Sequence, residues 1–417
     1  MAKIKIIFSL LAFFLVPEIH SQDFTYNCGP LEKDCVSFEY YGELNKNDAP
    51  HGEGIIFFED GGEVSGTFFN GELLRGKASR PDGSGYEGEY KDWQAHGFGK
   101  LIYANGSIYE GYWKSDKQHG EGILINSGVG YSDDGVYIKE YRGTFKENQM
   151  TGIATVIYSD GRTYEGKLLK GSPEGYGELI FPDKKNVYKG EWKKSKYHGL
   201  GVITNGNSRT EGRWKDGKKD GYFKISYGDG GSFEGFFKND LRNGTAKQVF
   251  ANGTSYGGNF LNDQRNGYGE MIYATGDTTK GMFKDDLFIS GKRTGITNGI
   301  KTIYSGSFNE RSQLQGKGSI YRESVDDPNQ REYLFSNNFK DGILNGYGTK
   351  RWLAKLTTSK EELYLHNYTG DFVHNLFDGI GQIDAVLAPD IEDLEPSLII
   401  TADYSTIYKG EFKKGTY

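Results

Sequence analysis

Tyr86-Glu-Gly-Glu-Tyr90 alternates in character. Rings and Gly at 86, 88 and 90 fall on one side of an extended chain, and Glu87 and Glu89 fall on the other. Gly99-Lys-Leu-Ile-Tyr103 continues the pattern, with Gly99, Leu101 and Tyr103 sharing a side. A period of two predicts strands with one covered face and one polar face. The pair of strands returns along the chain: Tyr164–Pro182 is one copy and Tyr188–Asn205 the next. Its skeleton is aromatic-x-Gly-x-aromatic, a polar loop, then Gly-x-Gly and an apolar run.

The first Gly of each copy marks the period at 42, 66, 88, 111, 143, 166, 190, 212, 235, 258, 281 and 306, mostly in steps of 22–25 residues. The 32-residue step from Gly111 to Gly143 places about nine inserted residues around Asn126–Ile138. Beyond residue 310 the copies weaken: Asn338 stands in place of Gly in Phe335–Phe339, and Gly370 and Gly410 follow at longer steps. A chain of such units builds a core from neighbouring copies, so the repeat decides the fold.

The connections set the topology. Asp60-Gly61, Asn105-Gly106, Asp160-Gly161 and Asn252-Gly253 predict the primed two-residue turns of hairpins. Lys193–Tyr197 exemplifies the other connection, read as a longer polar loop. Neither is long enough for a crossover helix, so neighbouring strands must run antiparallel. The predicted fold is all-β, a single-layer antiparallel meander of repeated hairpins. Gly at two fixed places is expected beneath an aromatic ring from a neighbouring strand, where a Cβ would not fit.

At this point the residues match a family. YEGEY, YEGYW, YKGEW and YGGNF, each followed by HGFG, HGEG, HGLG or NGYG, resemble the MORN repeat, closely over residues 40–310 and loosely over 311–417. The resemblance implies an elongated, twisted single-layer sheet with a grooved aromatic face. About thirty strands at roughly 4.8 Å would extend on the order of 130–140 Å. Tyr86, Tyr90, Tyr109, Trp113, Tyr188, Trp192 and Trp214 are the candidate groove residues; the other reading of the same rings is a plain core.

Composition sharpens this picture. Gly is 61 of 417 residues with only 9 Pro, and aromatic residues reach 15 %. That suits short strands, tight turns and ring packing rather than long helices. The net charge of −7 argues against a general nucleic-acid binder. Residues 1–21 read as a secretory signal: Lys3 and Lys5, the apolar run Ile6–Val16, then a small residue before Gln22. The run is too short to span a bilayer as a helix. Export is therefore expected, to a periplasmic, surface or secreted location. In residues 22–39, Cys28 and Cys35 are expected to form a disulfide.

Candidate chemistry is sparse. His51, His96, His119 and His198 recur before the loop-closing Gly, but a repeat of about 10 Å separates successive copies, too far for shared metal ligation. Glu87, Glu89, Glu110 and Glu165 repeat with the array and read as a solvated face rather than an acid–base pair. No Gly-rich fingerprint, nucleophile elbow or kinase motif set stands out. The expectation is a chain with no catalytic residues, no metal and no cofactor.

One charge cluster departs from the repeat. Residues 184–219 hold 11 Lys/Arg against 3 acids, including Lys193, Lys194 and Lys196 in one loop and Lys215, Lys218 and Lys219 in the next. These six are candidate contacts for an anionic membrane surface. The expected function is an interaction scaffold that takes a protein segment in its groove. An anionic-membrane module and a carbohydrate-binding surface protein are the alternatives. The final unit, Ile407–Tyr417, offers an edge strand for homodimer pairing.

Overall fold

The computed structural model describes residues 24–26, 38–128, 135–327, 330–355, 363–387 and 405–412. The leader, Cys28 and Cys35, and the acidic stretch 390–395 lie outside the described residues. All regular structure among the described residues is β, in thirty-one strands. The chain divides into two compact units: Met1–Gly206 with Trp214–Gly217, and Asn207–Arg213 with Lys218–Tyr417.

In the first unit each strand from Phe24–Tyr26 to Lys196–Asn205 pairs antiparallel with the next in sequence. In the second, the same holds from Lys218–Ser226 to Ser405–Phe412, with Arg331–Lys340 pairing both Ile343–Leu344 and Gly346–Lys355. The antiparallel meander expected from the connections is what each unit is. The insertion near 126–138 does not break the ladder: Ile125 faces Glu140 and Gly120 faces Phe145, so it is confined to the connection.

Rings and glycines interlock within one tile. Tyr86 lies over Gly88 on its own strand and over Gly99 on the next, where a Cβ would come within 2.5 Å and 2.2 Å of the phenol oxygen. The second glycine is thus covered from the neighbouring strand, as the sequence suggested, whereas the first is covered from its own strand, by the ring two residues back. Its hydroxyl donates to the Glu89 carbonyl at 3.0 Å. The ladder slips by a bulge at that point, between Gly88 and Glu89, which turns the carbonyl away from its strand partner. The same bond recurs from Tyr40, Tyr109, Tyr141, Tyr164 and Tyr188 in the first unit and from Tyr256 and Tyr368 in the second. A bulge left unpaired would cost a buried carbonyl its hydrogen bond; the phenol satisfies it.

The two kinds of turn are exchanged relative to the sequence reading. At Asn105-Gly106 the loop has three residues: Gly106 N–H donates to the Tyr103 carbonyl, Tyr103 N–H to the Ser107 carbonyl, and Gly106 alone has positive φ, 80°. The Asn105 side chain accepts the Ser107 N–H at 3.0 Å, which explains Asp or Asn before the Gly. The two-residue turns lie at the other end of the tile. Lys193 faces Lys196 directly, and Lys194 and Ser195 both have positive φ, 49° and 63°. Asp92-Trp93 and Ser115-Asp116 do the same. These pairs are held in this conformation by the next turn: Asp116 N–H donates to the Ala95 carbonyl, and the Asp116 carboxylate accepts the Ala95 N–H at 2.8 Å.

The weak copies keep the plan with other residues. In Arg331–Lys340 the residue facing Gly318 and Gly348 is Ser336, so Ser336 and not Asn338 takes the glycine's place. Its hydroxyl donates to the Tyr347 carbonyl at 2.7 Å and accepts the Asn338 N–H.

Candidate functional site

The seven rings proposed as a groove are core. Tyr86, Tyr90, Tyr109, Trp113, Tyr188, Trp192 and Trp214 are each less than 10 % exposed. Tyr86 meets Tyr90 and Trp113 edge-on at 5.1 and 5.3 Å, and Tyr109 meets Trp113 at 5.0 Å. Tyr188 stacks flat on Tyr197 at 3.7 Å, and Trp192 and Trp214 close around that pair. The indole N–H groups are spent on backbone: Trp113 donates to Gly99, Trp192 to Gly177 and Trp214 to Gly201. Burial pushes the phenols of Tyr40, Tyr141 and Tyr368 up to about 12 and raises those of Tyr86, Tyr109 and Tyr188 as well. These rings stabilise tiles by edge-to-face packing and area burial and have no free face for a partner.

The other face carries what the sequence reading missed. The x of Gly-x-Gly and the fourth residue of the pentad meet in register on the outward side. In the first unit Phe98 faces Tyr112, ring centroids 5.6 Å apart, and both are about half exposed. Ile153 is 71 % exposed, Tyr176 61 % and Leu200 60 %. In the second unit Tyr222 faces Phe236 and Tyr268 faces Met282, all exposed. The sequence signal was present in YEGYW and HGFG, where a ring sits at a position the alternation assigns to water.

Carboxylates on this outward face do local structural work. Glu89 accepts the Phe98 N–H at 3.2 Å and Glu191 the Leu200 N–H at 2.8 Å. Glu53 accepts from Thr67, and Glu121 from Thr144. Among the described residues no group of three His, Cys, Asp or Glu side chains converges as a metal site. His198 lies 3.6 Å from Asp216, and the His51 ring packs on Phe69.

Of the six loop lysines, Lys193, Lys194, Lys196 and Lys215 belong to the first unit and Lys218 and Lys219 to the second. The first five are exposed, and none has an ion pair among the described residues. Lys219 is half-buried, with its ammonium 5.2 Å from the Phe237 ring. Lys193 and Lys196 stand directly opposite one another, an arrangement that costs stability because like charges face across the ladder.

The first unit also holds a cavity of about 590 Å³. Arg80, Asp82, Tyr103, Trp113, Gln118 and Asn148 are among its lining residues.

The MORN repeat model matches residues 40–63, 86–108, 109–127, 141–161, 164–185, 188–208, 211–232, 233–255, 256–278, 338–352 and 368–384, together more than half of the chain. The chain belongs to the MORN-repeat family. MORN repeats act in protein and membrane interaction, and the repeat is a non-catalytic scaffold. The array is similar to alsin of Rattus norvegicus, 37 % identical over 89 residues, which is 19 % of this chain and 5 % of alsin. It is also similar to alsin of Mus musculus and of Homo sapiens, each 29 % identical over 97 residues, 22 % of this chain and 6 % of alsin. The chain therefore spans only about a twentieth of the length of these relatives. Residues 64–85 fall between MORN matches, yet the strands continue there. Val64 is too short to cover the tile, and Leu73 reaches Gly76 in its stead.

Proposed function

We propose that the protein is an exported, non-catalytic MORN scaffold that holds a partner protein segment against the outward face of its sheet. One observation carries the reading: the exposed apolar set Phe98, Tyr112, Ile153, Tyr176 and Leu200 in the first unit. The fold does not require apolar residues there, since Glu53 with Thr67 and Glu121 with Thr144 fill the same positions. Exposed apolar side chains in series favour an interaction surface, and aromatic residues are enriched at interface cores. Export rests on the charged, apolar and small-residue pattern of residues 1–21.

The test is co-purification of the full chain from its native host, wild type beside a Phe98→Ser, Tyr112→Ser, Tyr176→Ser variant. The variant is expected to keep its melting temperature and to lose partners at least ten-fold. An unchanged partner set with an unchanged melting temperature removes this reading. The N-terminal residue of the recovered protein, read by mass spectrometry, checks export: processing before Gln22 supports it.

A second reading, contact with an anionic membrane, is favoured by the opposed Lys193 and Lys196 with Lys194 between them. Its test is co-sedimentation with phosphatidylserine vesicles and with phosphatidylcholine vesicles. Binding is expected to need the anionic lipid, to fall steeply with salt, and to disappear when the six lysines are changed to Gln. Equal binding to both vesicles overturns it.

A further inference from the structure

The cavity of the first unit is opened by departures from the tile. The residue that begins the three-residue turn is aromatic in other tiles of this unit: Phe58, Tyr103 and Tyr158 each close their turn with an N–H to a carbonyl four residues on. Arg80 occupies that position in the turn 80–84 and lines the cavity. The second residue after the two-residue turn faces the fifth residue of the pentad and is Leu73, Ala95, Met150, Pro173 or Tyr197 in other tiles of this unit, none of them with an amide or charged side chain. Gln118 occupies that position here and is buried, with its Nε2 donating to the Tyr103 hydroxyl at 2.8 Å. A ring at one position and a non-amide, uncharged residue at the other are thus replaced here by Arg80 and Gln118, beside an opening of about 590 Å³, within the range of small-molecule sites.

The lining keeps unused hydrogen-bond capacity. Asn148 accepts the Gln118 N–H through Oδ1, leaving its Nδ2 without a partner among the described residues. Gln118 Oε1 is in the same condition. Asp82 Oδ1 accepts from the Ser84 N–H and hydroxyl, and Oδ2 has no bonded partner among the described residues. Those Ser84 hydrogen bonds hold the Asp82 carboxyl below its usual range, so it accepts at neutral pH.

Each ligand class meets this wall differently. A phosphate or carboxylate would face Asp82 and Asp116. A cation would face Arg80. An apolar molecule would strand the buried Gln118 amide without a partner. A neutral polyhydroxylated ring suits it, because each hydroxyl both donates and accepts, and its C–H faces can lie on Leu101 and Tyr103, which line the same space. We propose that this cavity is a carbohydrate site for one or two neutral pyranose residues of an oligosaccharide. It is separate from the outward face and stands or falls independently of protein docking there.

The experiment uses the full chain on an array of neutral hexose and N-acetylhexosamine glycans, with sialylated and uronic-acid glycans beside them. The strongest hit is then titrated by calorimetry. Arg80→Phe restores the ring of the sister turns and fills the opening, and Gln118→Met keeps volume while removing the amide. The expected result is saturable binding of a neutral glycan, weakened at least ten-fold by each variant, with the melting temperature kept or raised. Three results overturn the proposal: no neutral glycan bound by folded wild type, binding by acidic glycans alone, or unchanged affinity in both variants.

Discussion

The tile that begins at Tyr86 and the tile that begins at Thr210 solve one packing problem in opposite ways. In the first, a ring rises from its own strand and covers Gly88 and Gly99. In the second, position one is Thr210 and the ring comes from the following strand: Phe223 stands where Gly99 would be and lies over Gly212. Phe223 is fully buried. The fold therefore requires one large apolar side chain over two close backbones, a ring in these two tiles and Leu73 at Gly76, with the opposite positions kept small. It does not require the ring at a fixed place in the motif. The Tyr tile gains a hydrogen bond to its bulge carbonyl; the Phe223 ring has no hydroxyl with which to make one.

Alkaline pH breaks the Tyr tiles most broadly. A phenol ordinarily titrates near 10, and burial raises Tyr40, Tyr141 and Tyr368 to about 12. The unfolded chain then releases these protons first, so stability is full below about pH 10 and falls as pH rises through about 12. Phenolate absorbance and circular dichroism should change together in that window, whereas simple titration of exposed phenols would leave the fold intact.

A mutant cycle sharpens the comparison more locally. Phe223→Gly should cost at least the roughly 3–5 kcal/mol typical of emptying a buried Phe site. Thr210→Tyr alone should cost about 1–3 kcal/mol by overpacking. The double variant rebuilds the Tyr tile and should recover about 2 kcal/mol or more of the summed loss in urea unfolding. Strict additivity would count against an exchangeable ring.

Gly99→Ala should cost about 1–3 kcal/mol, because its Cβ meets the Tyr86 ring. The lower end is expected, since Ala154 already faces Gly143 in the Tyr141 tile. Tyr86→Phe keeps the ring and strands the Glu89 carbonyl, at about 1 kcal/mol. The same change of stability in a tile that lacks the bulge bond would show that the bond is not its cause. The smallest stability effect belongs to the outward face. Tyr112→Thr should stay within about 0.5 kcal/mol while weakening partner capture, and a larger stability loss would place that ring in the core set.

The candidate surfaces were unevenly legible. Period-two alternation separated rings from carboxylates correctly, but it could not say that Tyr86 and Trp113 would be covered. That depends on ring reach across two strands, and a strand pattern contains no such length. The outward Phe98–Tyr112 pair was hidden because a motif average reads the fourth position as polar. Arg80 was invisible as a departure until the turns were aligned by their hydrogen bonds, since Arg-Pro-Asp-Gly looks like any other turn.

The residues by themselves determined the strand-pair unit, its period, its antiparallel order and its family, because each follows from local alternation and short connections. The tertiary structure alone decided which face is core, which strand lends each ring and which turn holds two residues at positive φ. It also decided that Ser336 stands in for a glycine. Those choices depend on what lies across the ladder, and the partner there is some 10 to 30 residues away in the chain.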